Sequence, residues 1–200
     1  FFQISEDQLQ PFAFKEAINE LYGKNVVILW ENKTEGVIVD FKKRNQDDHL
    51  FLEEIIDVLM SDLYAKVRFF VGPFLSTLTL AKQYYKRLAE EANSAFSYFE
   101  NNVITYFEAI PYMLINKTTD ELKDELQHLI LQEFQEDAEF IQMVEVLLKC
   151  NLNVSETAKK LYMHRNSLQY RMEKFYNKTG LDIRKFHHAM TVYLALLTKK

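Results

Sequence analysis

The chain has 200 residues, 48% of them hydrophobic and 26% charged, and its formal net charge is −5. This composition is ordinary for a soluble globular protein of one or two domains, and four glycines and three prolines argue against long disordered linkers. A single cysteine excludes an internal disulfide framework, and the absence of any run of about 18 apolar residues argues against a membrane span. We therefore expect a cytoplasmic protein without membrane contact. The chain opens on Phe1 rather than methionine, which leaves open whether it is a fragment of a longer protein.

The N-terminal part of the chain predicts a helix followed by a β-hairpin. Residues 1–24 contain a leading helix that begins near Ser5 or Pro11 and ends at Gly23. Its apolar stripe consists of Phe12, Ala13, Ala17, Ile18 and Leu21. Two runs rich in β-branched and aromatic residues, 25–31 and 36–41, are separated by polar residues and therefore predict the hairpin.

Helices and strands continue to alternate up to residue 116. The pattern predicts a charged loop at 42–48, a helix at 50–63, a strand at 67–71, a helix at 78–96, a strand at 103–107 and an apolar segment at 110–115. This order predicts a sheet with helices packed on it. Acidic pairs such as Glu53 and Glu54 are interpreted as solvated surface, because no histidine or glycine-rich loop accompanies them. We expect no catalytic residues, no metal and no cofactor.

Two further helices are predicted before residue 151. The first, at 117–139, connects the preceding region to the C-terminal one and begins with a capping box formed by Thr118 and Glu121. Its apolar stripe consists of Leu122, Leu126, Leu129, Ile130 and Phe134. The second, at 138–150, has Phe140, Ile141, Val144, Leu147 and Leu148 at helical spacing, and Cys150 ends it as a small core residue.

Residues 153–180 predict two short helices joined by a tight break, which is the pattern of a helix-turn-helix. Asn153 or Ser155 can cap the first helix, and small Ala158 allows the two helices to approach closely. The second helix follows Met163 and His164, and its inward stripe consists of Leu168, Met172 and Phe175. The break contains no glycine, although many such turns have one.

The opposite side of the second helix is polar and aromatic. A helical wheel of about 100° per residue places Asn166, Gln169, Tyr170, Glu173 and Lys174 there, with Ser167 at the flank. Arg165 lies in the first turn, where the side chains of a recognition helix reach base edges. His164 is suited both to a base or phosphate contact and to helix capping. Arg171 lies nearer the buried stripe, where it can contact DNA or bridge to the backbone or a neighbouring acid.

A last amphipathic helix is predicted at 181–200. Phe186, Met190, Tyr193 and Leu197 are expected to complete the small helical core. The adjacent His187 and His188 are not expected to share a metal ion, since neighbouring helical residues point about 100° apart.

Charge is distributed unevenly along the chain. Residues 151–200 contain ten Lys and Arg against three Asp and Glu, whereas the first 150 residues contain 14 against 26. Only the basic end can release counterions from a phosphate backbone. The alternatives for this end are a solvated helical face or a protein-docking module.

The C-terminal sequence NVSETAKKLYMHRNSLQYRMEKFYNKTGLDIRKF, followed by YLALL, resembles the helix-turn-helix of the PucR/CdaR family of bacterial transcriptional regulators. It is similar, more distantly, to the DNA-binding end of the factor for inversion stimulation. The resemblance implies that Asn153 and Ser155 lie near phosphates and that a second group of residues lies along the groove, namely His164, Arg165, Ser167, Gln169 and Tyr170. Gln169 and Tyr170 replace basic residues of the second family, so base preferences do not carry over.

The sequence YAKVRFFVGPFLSTLTLAKQYYKRLAEEA is similar to the end of the GGDEF-like domain of the same regulators. The catalytic Gly-Gly-Asp/Glu-Glu-Phe phrase is absent, so the resemblance implies a non-catalytic relative that scaffolds or senses. The expected class is α+β, with a degenerate GGDEF-like α/β domain followed by an all-α helix-turn-helix domain. The expected segments are 1–24, the leading helix; 25–116, the GGDEF-like domain; 117–139, the connecting helix; and 140–200, the DNA-binding domain.

The resemblance implies a DNA-binding transcriptional regulator, not an enzyme, that controls a catabolic operon in response to a metabolite. Its partners would be double-stranded DNA, a second copy of the chain in a homodimer, and a small-molecule effector bound through a region upstream of Phe1. The alternative is a nucleotide-sensing or catalytic α/β domain with an incidental helical tail.

Overall fold

The computed structural model of the protein describes residues 1–5, 11–22, 26–41, 53, 56–57, 59–61 and 66–199. The chain divides into two compact units, Phe1–Ile110 and Pro111–Lys200. The predicted charged loop at 42–48 lies outside the described residues. So does much of the predicted helix at 50–63, although its described residues are helical and Ile56 and Leu59 are fully buried.

The first unit is a mixed sheet with helices, as the order of predicted elements indicated. Its strands are β1 (Phe2–Ile4), β2 (Val26–Trp30), β3 (Glu35–Asp40), β4 (Val67–Val71) and β5 (Val103–Thr105). Its helices are α1 (Pro11–Tyr22), α2 (Leu78–Tyr98) and α3 (Tyr106–Asn116), the last of which contains the boundary between the units. The strand order is β2-β3-β1-β4-β5, antiparallel except for the parallel pair β4 and β5. The molecule is therefore of the predicted α+β class.

The predicted hairpin is confirmed as β2 and β3, paired antiparallel from Val26–Asp40 to Trp30–Gly36. Asn32 closes its turn, because its side-chain oxygen accepts the backbone N–H groups of Thr34 and Glu35 at 2.8 and 2.9 Å. Gly36 is required where β3 lies between β2 and β1 in the sheet. A Cβ at this position would lie 2.3 Å from the carbonyl oxygen of Leu29 and 2.7 Å from the Phe2 ring.

The core of the first unit contains an aromatic cluster of Phe2, Phe14 and Trp30. The ring centroid of Phe2 lies 4.7 Å from that of Phe14 and 5.0 Å from that of Trp30. Phe14 and Ile18 of α1 are buried, whereas Phe12, predicted to face inward, is exposed. Phe14 and Ile18 are four residues apart and define the inner face, so Phe12 belongs to the opposite one.

The chain from 117 to 139 is not the single helix that the sequence predicted. It consists of α4 (Asp120–Leu126), a π-helical turn (Gln127–Leu131) and a 3₁₀ turn (Gln132–Glu136). Thr119, rather than Thr118, caps α4, and the Thr118 hydroxyl instead donates to the Ile115 carbonyl. Gln132, between the two irregular turns, has a positive φ of 50°. Leu122 and Leu129, predicted to face inward, are exposed, and Leu131 is buried beside Phe134.

The second unit continues with four α-helices, α5 (Ala138–Lys149), α6 (Val154–Lys160), α7 (Arg165–Thr179) and α8 (Phe186–Leu197). Phe134, Phe140 and Phe175 meet in its core with ring centroids 4.6 to 5.0 Å apart. Helix α8 turns Ala189, Val192, Ala195, Leu196 and Leu197 inward. Phe186 and Met190, predicted to face the core, are exposed, because Ile183 just before the helix and Val192 fill the space instead. Among the described residues, no helix combines the length and apolar character needed to cross a bilayer.

Candidate nucleic-acid interface

The first helix of the predicted motif, α6, is capped by Asn153. Its side-chain oxygen accepts the backbone N–H groups of Ser155 and Glu156 at 3.1 and 3.2 Å. This satisfies two of the N–H groups that every helix leaves without an internal partner. Asn153 is therefore fixed by capping, whereas Ser155 is an exposed residue of the first turn.

The buried side chains of the motif are small on α6 and large on α7. Thr157 and Ala158 are buried, and the Thr157 hydroxyl donates to the Asn153 carbonyl at 2.8 Å. Leu168, Met172 and Phe175 of α7 are buried in the same core, as the spacing predicted. Because this stripe is buried, the orientation of α7 about its own axis is determined, and its polar residues must face outward.

The turn between α6 and α7 reverses the chain without glycine. The N–H groups of Tyr162 and Met163 donate to the carbonyls of Lys159 and Ala158 at 3.1 and 2.9 Å. These two bonds form a Schellman ending, in which the residue after the helix adopts a left-handed conformation. Tyr162 takes that place with a φ of 52°, and its side chain is 98% exposed. From the sequence alone, the only unusual feature of this turn is that it contains no glycine. Tyr162 was therefore not among the predicted site residues.

Helix α7 begins at Arg165 and is capped by His164, whose Nδ1 accepts the Asn166 backbone N–H at 3.3 Å. Of the two roles open to His164, the structure thus supports capping. Arg165 is exposed in the first turn, and the helix ends at Gly180, whose φ of 75° suits glycine. The helix is therefore fixed at both ends and along its inner stripe.

The predicted site residues are brought together on the outer side of α7. Arg165, Asn166, Ser167, Tyr170 and Lys174 are exposed, and Gln169 is half-buried. Four of them line one wall of a groove of about 760 Å³, together with Met163 and Arg171. The other wall belongs to the preceding segment and the start of α5: Phe134, Asp137, Glu139 and Phe140. One flank of α7 therefore faces carboxylates of its own unit.

Several cations of α7 already have contacts within the unit. Arg171 forms an ion pair with Glu139, and Lys178 approaches Glu133 at 3.6 Å. The Lys174 ammonium lies 5.7 Å from the centre of the Phe134 ring. Arg165, at the other end of the helix, is exposed in the first turn. The start of α7 therefore has fewer of these contacts within the unit than the later turns of the helix.

The segment after α7 is held by a second polar cluster. Arg184 donates to both carboxylate oxygens of Asp182 at 2.7 and 3.0 Å, and this hydrogen bonding lowers the pKa of the Asp182 carboxyl. Nδ1 of His188 accepts the Asp182 backbone N–H at 2.8 Å. His188 therefore has a structural role here, and no group of metal-binding side chains occurs within the described ranges.

Comparison with known proteins finds a family match within the C-terminal unit. Residues 140–198 match the family described as the PucR C-terminal helix-turn-helix domain. Over 62 residues the chain is 39% identical to the purine catabolism regulatory protein of Bacillus subtilis, a match that covers 31% of this chain and 12% of that protein.

Two longer matches extend over nearly the whole chain. It is 30% identical over 195 residues to the uncharacterized protein YxkF of Bacillus subtilis, covering 95% of this chain and 64% of that protein. It is 21% identical over 201 residues to the DNA-binding transcriptional activator AdeR of the same organism, covering 94% of this chain and 46% of AdeR. The chain therefore spans less than two thirds of the length of both proteins.

Proposed function

Since residues 140–198 belong to the PucR C-terminal helix-turn-helix family, we propose that the chain is a sequence-specific, DNA-binding transcriptional regulator of the PucR/CdaR type. The observation that carries this proposal is the orientation of α7. Its buried stripe faces a closed core, and its first two turns present Arg165, Asn166 and Tyr170 to solvent. A helix held in this way has the shape and polarity that the major groove admits.

The site residues divide between base edges and the phosphate backbone. Arg165, Asn166, Ser167, Gln169 and Tyr170 are the candidates for the groove, because they occupy the first half of α7. Ser155, in the first turn of α6, and Asn153, beside it, are candidates for phosphates, since the first helix of such motifs crosses the backbone. His164 acts mainly by fixing the start of α7. Lys174 adds positive charge near the phosphates.

One recognition helix covers only a few base pairs, so the regulator acts as a homodimer on two half-sites about one helical turn apart or a multiple of that. The first unit, proposed as a GGDEF-like domain without catalytic function, scaffolds the dimer or senses a signal. A relative is a purine catabolism regulatory protein. By analogy, this chain controls a catabolic operon in the cytoplasm in response to a metabolite bound elsewhere in a longer protein.

The test begins with the selection of bound fragments from the host genome by the full chain. A labelled duplex containing the selected site is then titrated at fixed salt, beside a scrambled duplex of equal length. We expect the selected site to bind at least about 1,000-fold more tightly. Arg165→Ala should weaken this binding by about 1–3 kcal/mol if Arg165 pairs with a guanine edge.

Lys178→Ala is the matched control, because Lys178 lies 13 residues further along the same helix, about 20 Å away, and is paired with Glu133. It should change affinity less than about threefold. Equal binding of the selected and scrambled duplexes would reject sequence-specific recognition. Equal affinity of the wild-type chain and Arg165→Ala would remove Arg165 from the interface.

A further inference from the structure

We propose that Tyr162, in the turn between α6 and α7, is a further DNA-contacting residue whose hydroxyl donates a hydrogen bond to a backbone phosphate at the groove edge. This inference rests on the proposed function, since it assigns a new residue to the same interface. It is carried by the backbone conformation and the exposure of Tyr162.

The backbone conformation of Tyr162 is unfavourable for a residue with a Cβ. Its φ of 52° lies in the left-handed region, which is sterically unfavourable for an L-residue with a Cβ but open to glycine. The Schellman ending of α6 needs that conformation but no particular side chain. Glycine would therefore give a more stable turn than tyrosine.

The two left-handed residues that follow α5, Asn151 and Leu152, differ from Tyr162 in what their side chains gain. Leu152, with a φ of 62°, packs against the hydrophobic core, so burial offsets its conformation. Asn151, with a φ of 50°, is of a residue type that tolerates this region. Tyr162 is 98% exposed, so its ring contributes almost no burial to folding. The folded chain alone does not account for a large aromatic side chain here.

The location of Tyr162 suits contact with a DNA backbone. It is two residues from His164, the cap of α7, and three from Arg165. On its other side are Lys159 and Lys160, which are exposed at the end of α6. With the start of α7 in the major groove, this turn lies where the groove meets the phosphates.

The chemistry of tyrosine supports a phosphate contact. The phenol presents an O–H donor at the end of a rigid side chain with two rotatable bonds, so little conformational entropy is lost on binding. Phosphate oxygens are acceptors, and tyrosine is among the side chains that donate to them. Because the phenol is neutral, it adds affinity without releasing a counterion.

Two substitutions separate this role from a structural one. Tyr162→Phe keeps the ring and the backbone conformation and removes only the hydroxyl. It should weaken binding to the selected duplex about three- to tenfold, with an unchanged salt dependence. Tyr162→Gly relieves the backbone and should raise the midpoint of thermal unfolding, followed by circular dichroism, by a few degrees. It should nevertheless weaken DNA binding at least as much as Tyr162→Phe.

Tyr176→Phe is the matched control, because it removes the same hydroxyl from the far half of α7 and should leave affinity unchanged. Wild-type affinity in Tyr162→Phe would overturn the inference while leaving the regulator intact. The same holds if Tyr162→Phe binds DNA normally but loses regulation of a reporter, since the residue would then face a protein partner. Failure of the wild-type chain to bind any duplex would instead refute the proposed function itself.

Discussion

Arg171 of α7 is held by Glu139 in the first turn of α5, so this guanidinium points along the flank of α7 into its own unit. Arg165, six residues earlier on α7, is exposed in the first turn. The two arginines of α7 therefore differ: Arg171 forms an ion pair within the unit, and Arg165 is exposed to solvent. The difference separates a structural cation, Arg171, from Arg165, the cation proposed to contact DNA.

The first prediction compares the salt dependence of DNA binding for Arg171→Gln and Arg165→Gln. Each phosphate neutralised contributes about 0.9 to the slope of log K against log salt concentration. We expect Arg165→Gln to reduce that slope by up to about one, because a cation at a base edge also lies close to the flanking phosphates, and Arg171→Gln to leave it unchanged. Fluorescence anisotropy at several salt concentrations measures both. A lower slope for Arg171→Gln would mean that DNA displaces Glu139.

The second prediction concerns the three phenylalanines of the C-terminal core. Phe175→Ala removes the ring that stacks on Phe140 at 4.6 Å, and we expect a loss of about 3–5 kcal/mol in the free energy of unfolding. Phe186→Ala is the control, because Phe186 is 65% exposed, and it should change that free energy by less than about 0.5 kcal/mol. Urea unfolding followed by circular dichroism gives both values. Comparable losses would mean that Phe186 faces the core after all.

The third prediction is a pH dependence from Asp182. Hydrogen bonds from Arg184 lower the pKa of its carboxyl from 3.8, so the carboxylate stabilises the folded state above that value. This contribution is lost as pH falls through 3.8 towards the lowered pKa. Asp182→Asn should therefore reduce stability by up to about 1 kcal/mol near pH 7. The difference from the wild-type chain should be smaller at a pH below 3.8 than at pH 7.

Chemical denaturation of both proteins at the two pH values measures this difference. Arg184→Gln should produce the same pH dependence, because it removes the other half of the pair. A constant difference between wild type and Asp182→Asn across the range would assign the effect to the changed donors and acceptors of the side chain and not to its ionisation. That outcome would contradict the role of charge.

The fourth prediction concerns Gln132, whose positive φ joins the π-helical and 3₁₀ turns. A non-glycine residue in such a sparsely populated conformation costs about 1–3 kcal/mol. Gln132→Gly should therefore raise the free energy of unfolding by roughly 1 kcal/mol. Gln135→Gly, within the 3₁₀ turn three residues later, should lower it by about 0.5–1 kcal/mol. If both substitutions destabilise the chain equally, Gln132 is not strained.

The elements that could be predicted from sequence are those with a strong local pattern. The β2–β3 hairpin, α2, α5 and the inner stripe of α7 all have the predicted type and nearly the predicted bounds. Strand β1 was missed, because three residues carry no periodicity and the strand partners of Phe2, Gly36 and Phe69, are 34 and 67 residues away in the chain. The GGDEF-like identity of the first unit remains a prediction.

The errors in helical phase share one physical cause. In α8 apolar residues occur on nearly every side, so the sequence alone does not decide whether Phe186 or Ala189 faces inward. At 117–139 the prediction assumed one regular α-helix. The π-helical and 3₁₀ turns at Gln127–Glu136 change the rotation per residue, so different residues face inward. In α7 the polar residues leave a single apolar stripe, so the outer face of the candidate site was predicted in the right orientation.

The position of Phe134 determines where a recombinant fragment of the C-terminal unit should begin. Its ring contacts Phe140 and Phe175, yet it lies six residues before the stretch that matches the family, which starts at residue 140. A recombinant fragment that begins at residue 140 would lack Phe134 and Leu131 and expose their apolar neighbours to water. Cloning from Pro111 keeps the hydrophobic interior whole.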